Sequence, residues 1–286
     1  MTESPVTRFN SDGSWCRREV LLGGLATAFS LVRPAWAGEG PATVPVCTLT
    51  PELTEGPYYL ERPQLRRDIT EGKTGVPLIL RITLLDAGDC RPLRGAAVDI
   101  WHCDAGGVYS GYGKQSAARV PGPPPGPGMP PPGGVGPGMF PPGMGAGHPP
   151  HRPEATDHRR FLRGIQLTGA DGVAEFRTIV PGWYAGRAVH IHLKAHVGGK
   201  PHINRYTGGH ICHTGQFGFA EDFYDSISPL QAYAQHRVPR TPLQQDGILA
   251  AAGPILTLAS LGSEPGQGYL GTMICAVDPQ AVPKAW

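Results

Sequence analysis

His190 and His192 stand two residues apart in Val189-His190-Ile191-His192. In an extended strand, residues two apart share a face, so both imidazoles reach one metal ion while Ile191 turns the other way. Taken alone, the pair fits a solvated strand face equally well. Six of the eleven histidines fall between His190 and His213, and His196 has the same parity as the pair, so metal chemistry is favoured while the ligand choice stays open. Two tyrosines add to the group. Tyr184 follows the Pro181-Gly182 turn six residues before His190, and Tyr109 ends a run from Ile100 through Gly107-Val108. A buried phenol needs a polar partner, so each is either a core tyrosine or a ligand.

Strands are the elements that must carry these residues. Runs rich in branched side chains recur between turn signals at 76–85, 97–102, 164–167, 173–176, 189–197, 255–261 and 271–277. Such runs predict an all-β fold, an antiparallel β-sandwich with long loops and little helix; the one helix expected is short, near 229–236. Asp86-Ala87-Gly88-Asp89 and Gly169-Ala170-Asp171-Gly172 supply turn chemistry between them. The chain holds 41 Gly and 32 Pro, concentrated between Pro121 and Pro150. That tract has too little apolar surface to offset its ordering entropy, and its prolines deny it ladder hydrogen bonds. It reads as an insertion, 120–153, within one domain spanning 38–286.

The balance of 25 basic and 23 acidic residues leaves a formal charge of +2, so no strong field points to nucleic acid. Arg17 and Arg18 precede an apolar run to Val32 that is short of the roughly 20 residues a membrane span needs. Ala35-Trp36-Ala37 then supplies a cleavage site. Residues 1–37 are expected to be a twin-arginine-type signal, leaving a periplasmic or secreted protein with no membrane attachment after cleavage. Cys47, Cys90, Cys103, Cys212 and Cys275 remain; two disulfides and one free thiol suit an oxidising compartment, and the pairing is open. The oligomeric state is open as well.

Three segments resemble the intradiol ring-cleavage dioxygenases, a family of non-haem iron(III) enzymes that includes catechol, hydroxyquinol and protocatechuate 3,4-dioxygenases. They are Thr54-Glu55-Gly56-Pro57-Tyr58-Tyr59, the run from Asp99-Ile100-Trp101-His102 to Gly107-Val108-Tyr109-Ser110, and the run from Pro181-Gly182-Trp183-Tyr184 through Arg187 to His192. The likeness is to exported, single-domain members. It implies one Fe(III) per chain held by Tyr109, Tyr184, His190 and His192, with Tyr109 preferred over the nearby Tyr112. It implies a small aromatic diol and O2 as substrates and a muconate-type diacid as product. Tyr184 is the ligand expected to leave the metal and help deprotonate substrate, Arg187 the residue that stabilises charge on the ring, and Gln216 a residue of the pocket. Tyr58 and Trp101 are candidates for the pocket wall. A carboxylated substrate would want a cation, and Arg62, Arg66, Arg67, Arg159, Arg160 and Arg163 are all available.

Rival readings make separate demands. A cupin needs a glutamate four or five residues after the second histidine, where His196 and Val197 stand. A two-histidine, one-carboxylate iron site needs an acid near the pair, and the flanking acids are Glu175 and Glu221. A non-catalytic binding module needs no iron. A metal-binding protein using the histidine-rich stretch would not depend on Tyr109.

Overall fold

A computed structural model describes residues 47–113 and 153–283, all within one compact unit, Val44–Trp286. The expected signal, 1–37, lies outside the described residues, as does the expected insertion except for Pro153.

Branched residues at alternate positions build two sheets. Strands β1 (Pro77–Asp86), β4 (Val173–Ile179), β7 (Thr257–Ser260) and β8 (Tyr269–Val277) form one sheet in the order β4-β1-β8-β7. Strands β2 (Ala97–Trp101), β3 (Arg163–Leu167), β5 (His190–His202) and β6 (Arg205–Gly218) form the other in the order β3-β2-β5-β6. Leu78, Leu80, Ile82 and Leu84 of β1 face Val98, Ile100, Ile191 and Leu193 of the second sheet within one core. Burial of that core is the main source of stability. All five residues of β2 are buried, so the second sheet is covered on its outer face too.

The all-β sandwich is as expected, with three differences. β1 pairs with β8 in parallel, from Leu78↔Tyr269 to Asp86↔Val277, so the sandwich is not wholly antiparallel. β6 was not anticipated: its outer half, Arg205–His210, carries Gly208-Gly209 and polar residues and is largely exposed, so it lacks the apolar alternation that marks a half-buried strand. Among the described residues, helix occurs as α1 (Glu221–Ile227), α2 (Gln231–Ala234) and α3 (Leu249–Ala252). Only α2 lies in the window expected; the other two are too short for a 3.6-residue period to show.

Among the described residues one disulfide forms, Cys47–Cys90, against the two expected. Cys103, Cys212 and Cys275 are free and buried. The Cys103 thiol donates to the Gly182 carbonyl at 3.5 Å, while Cys212 and Cys275 sit in the core between the sheets. No described helix is long and apolar enough to cross a membrane.

Candidate metal centre

Strand parity sets the centre on the outer face of the second sheet. Ile191, Leu193 and Ala195 enter the core, which leaves His190 and His192 on the opposite face, 2% and 1% exposed. His190 Nδ1 lies 2.6 Å from the Ala188 carbonyl and donates to it, which turns the lone pair of Nε2 toward the site. Around that Nε2 stand His192 Nε2 at 3.1 Å, Tyr184 Oη at 3.2 Å and Tyr109 Oη at 3.3 Å.

Close approach of two loops brings the tyrosines there. Gly107 and Gly182 both donate to the Asp104 carbonyl, at 2.9 and 3.0 Å. A Cβ on Gly107, whose φ is +79°, would stand 2.1 Å from the Trp183 carbonyl oxygen, and one on Gly182 would stand 2.2 Å from that of Ala105. Only glycine allows the contact, and the contact sets Tyr109 beside Tyr184, with ring centroids 5.7 Å apart.

The four donors fit a metal ion. Burial pulls His190 down to about 3 and His192 well below the ordinary histidine value, so both are neutral. Two neutral imidazoles that aim Nε2 at one another from 3.1 Å share at most one proton, whereas a cation between them would satisfy both. Separations of 3.1–3.3 Å are those of donors that share one ion at bonds of about 2 Å. Burial also raises Tyr184 to about 12 and Tyr109 well above the usual phenol value; a bound cation would reverse that by stabilising phenolate. Among the described residues no three His, Cys, Asp or Glu side chains gather into a metal site, so an ion held here needs the phenols.

Arg187 lies at the edge of the cluster. Its Nε donates to Asp246 Oδ2 at 2.8 Å and its Nη2 to Gln216 Oε1 at 2.5 Å. Gln216 Nε2 in turn donates to the Thr54 carbonyl at 2.7 Å. Asp246 is fully buried and also accepts from the backbone N–H groups of Ala188, Ile248 and Leu249. Burial opposes its charge, but Arg187 and these donors hold its carboxyl below the usual range.

Tyr58 and Trp101 lie against the donor side chains. Tyr58 stacks on Tyr109, centroids 4.7 Å apart, and meets Tyr184 edge-on at 6.2 Å. Trp101 lies flat on the His192 ring, 4.8 Å away and 1% exposed, so it backs a donor side chain rather than facing open space. Tyr112 donates to the Tyr59 carbonyl at 2.9 Å, whereas Tyr109 is the tyrosine of this loop that reaches His190. His196 stands 3.9 Å from Asp99, and His202 and His210 are exposed; the histidine-rich stretch does not converge on one point.

Sequence reasoning missed Asp246, Lys194 and Glu55. Lys194 follows His190 and His192 on the same face of β5 and is 3% exposed. It pairs with Glu55 and lies 3.6 Å from the Tyr59 ring centroid. A lysine inside an otherwise buried strand was the available signal. The pair ties down Thr54–Tyr59, whose Gly56 passes so close that a Cβ there would meet His192 Cε1 at 3.1 Å.

No protein-family profile and no curated protein matches the chain. Among solved structures it is similar to an intradiol ring-cleavage dioxygenase from Tetranychus urticae, at 27% identity over 84% of this chain and 98% of that one, with a TM-score of 0.64. A second structure, described as a dioxygenase, matches at 27% identity over the same shares with a TM-score of 0.63. In fold the chain is similar to these dioxygenases, and the Tyr, Tyr, Arg, His-x-His series on which the resemblance to the intradiol ring-cleavage dioxygenases rests is gathered in one place.

Proposed function

We propose that the protein is a non-haem Fe(III) enzyme that cleaves a catecholic ring between its two hydroxyl-bearing carbons, adding both atoms of O2 to give a muconate-type diacid. The observation that carries this reading is the meeting of two phenol oxygens and one imidazole nitrogen around a second, His190 Nε2. Tyr109, Tyr184, His190 and His192 would hold the ion, and hard anionic oxygen with neutral imidazole suits a ferric centre. When bound, the ion supplies Lewis acidity that ionises the diol and opens its ring to O2.

The rest falls to the chain. Burial favours the protonated form of Tyr184, so its Oη, once ionised, is suited to take a proton from a catechol hydroxyl. Arg187, fixed by Asp246 and Gln216, presents a fixed positive charge where the ring becomes anionic. Tyr58 and Trp101, 3% and 1% exposed, keep water from the donor side chains, where a low dielectric strengthens each charge. Export by the twin-arginine-type segment belongs to the same reading, and the Cys47–Cys90 bond supports an oxidising compartment.

The test is turnover of catechol by the iron-loaded protein under isotopically labelled O2. The expected product is a diacid carrying both label atoms. No O2 uptake, or a product cleaved beside rather than between the hydroxyl carbons, would overturn the proposal.

A further inference from the structure

The six arginines available to an anionic group divide according to their partners. Arg66 pairs with Glu71 at 2.5 Å and donates to the Arg160 and Arg163 carbonyls. Arg67 pairs with Glu175, and Arg159 lies 3.7 Å from Asp157. Arg163 is 5% exposed and is used by Ser110, through its hydroxyl and its carbonyl. Arg62 and Arg160 are left. Among the described residues no carboxylate lies within ion-pairing distance of either.

Both line one cleft of about 630 Å³, joined there by Arg205, Asn204 and His202 from the β5–β6 turn and by Gln64. Arg205 likewise has no carboxylate partner among the described residues. The cleft is braced by backbone. Leu65 N–H donates to the Asn204 carbonyl at 2.8 Å, and Gln64 bridges to Arg205. Arg66 Nη2 holds the Arg160 carbonyl at 2.6 Å, so the segments carrying all three guanidinium groups are tied together. The stretch 114–152 contains Lys114, Arg119 and Arg152 but no Asp or Glu, so it has no carboxylate with which to neutralise them.

We propose that Arg62, Arg160 and Arg205 form a binding site, in a cleft lined by none of the four metal donors, for a small molecule bearing two or more oxyanion groups. A guanidinium fork matches the paired oxygens of carboxylate or phosphate. The cleft has the volume of ordinary small-molecule sites, about 300–1,000 Å³. One exposed ion pair contributes little, so three guanidinium groups around one cleft select a ligand that engages several at once. Asn204 and Gln64 add neutral polar groups to the lining, and His202 adds an imidazole.

The test is calorimetric titration of the full chain at low salt with citrate and, separately, with pyrophosphate. The site predicts saturable one-to-one binding of at least one probe, weakened about tenfold or more in Arg160→Gln and in the double variant Arg62→Gln/Arg205→Gln, and weakened by added salt. Tighter citrate binding makes the ligand a polycarboxylate, and tighter pyrophosphate binding a polyphosphate. No saturable binding of either probe, or affinities unchanged in the double variant, would overturn the proposal. All three arginines lie outside the core, and unchanged thermal midpoints would show the variants folded; should Arg160→Gln melt lower, the double variant decides. Catechol turnover is expected to be unchanged in these variants. Absence of turnover in the unmodified protein would count against the ring-cleavage reading and leave the cleft untouched.

Discussion

Arg187 is anchored by Asp246, 59 residues away in the chain, which takes its Nε and the Ala188 N–H on one carboxylate oxygen, and by Gln216. Nothing around Asp246 in sequence announces that duty, since the pairing exists only after the chain has folded. The spacing of His190 and His192, by contrast, showed in sequence that they share one strand face, whereas Tyr109 and Tyr184 were singled out by the resemblance to a family, since spacing alone left each as a core tyrosine or a ligand. Asp246→Asn keeps the shape but removes the charge that anchors the guanidinium. Turnover is expected to fall about tenfold or more in kcat/KM, the range for a loosened electrostatic contact, while iron content is retained because no metal donor is touched. Steady-state kinetics beside metal analysis would check both halves.

At the scale of elements, the long β5–β6 hairpin brings Gln216 back to the H-x-H pair. Gln216 lies directly across from His192 in the antiparallel register, and the hairpin runs out to His202↔Arg205 and back. The intervening residues are mostly two paired strands, so the far end of the hairpin stays clear of the site. The exposed polar half of β6 concealed this, because strand signals in sequence depend on a buried face. The Thr54–Tyr59 segment is held over the same site by the buried Lys194–Glu55 pair, with side chains 4% and 11% exposed. Lys194→Met takes the lysine partner from the Glu55 carboxylate, and removing one member of a buried pair costs about 3–5 kcal/mol. The double variant Lys194→Met/Glu55→Leu should recover most of that loss. Chemical denaturation of the three proteins would show it, and a double variant as unstable as the single would count against the pair's role.

For the whole molecule, the β-sandwich was readable from recurring branched runs, but the parallel β1–β8 pairing was not. It joins distant parts of the chain, and strand periodicity carries no information about which strands meet. The interior also sets an acid limit. His102 is fully buried, with Nδ1 2.8 Å from the Cys103 carbonyl and Nε2 2.7 Å from Thr178 Oγ1, and burial lowers it from 6.5 to about 4. The unfolded chain therefore takes up a proton near pH 6.5 that the folded chain refuses until about pH 4, so stability falls as pH drops through that window. The loss is on the order of 3 kcal/mol for this one group. Burial likewise lowers His196 and His213 to about 4, which steepens the fall. Burial raises Asp99 to about 7, and its contribution runs the other way. Thermal midpoints between pH 7 and pH 4 should drop, with a shallower slope in His102→Gln; equal slopes in the two proteins would remove His102 from the account.

The central claim is that two phenolates and two imidazoles hold a ferric ion with room for a diol. Its most direct test is the visible absorption spectrum of the ferric-reconstituted protein, taken before and after adding catechol without oxygen. The account predicts a broad tyrosinate-to-iron(III) band that shifts when catechol binds and is lost or greatly weakened in Tyr109→Phe. A protein that stays colourless after ferric reconstitution, or a Tyr109→Phe variant with an unchanged band, would contradict it.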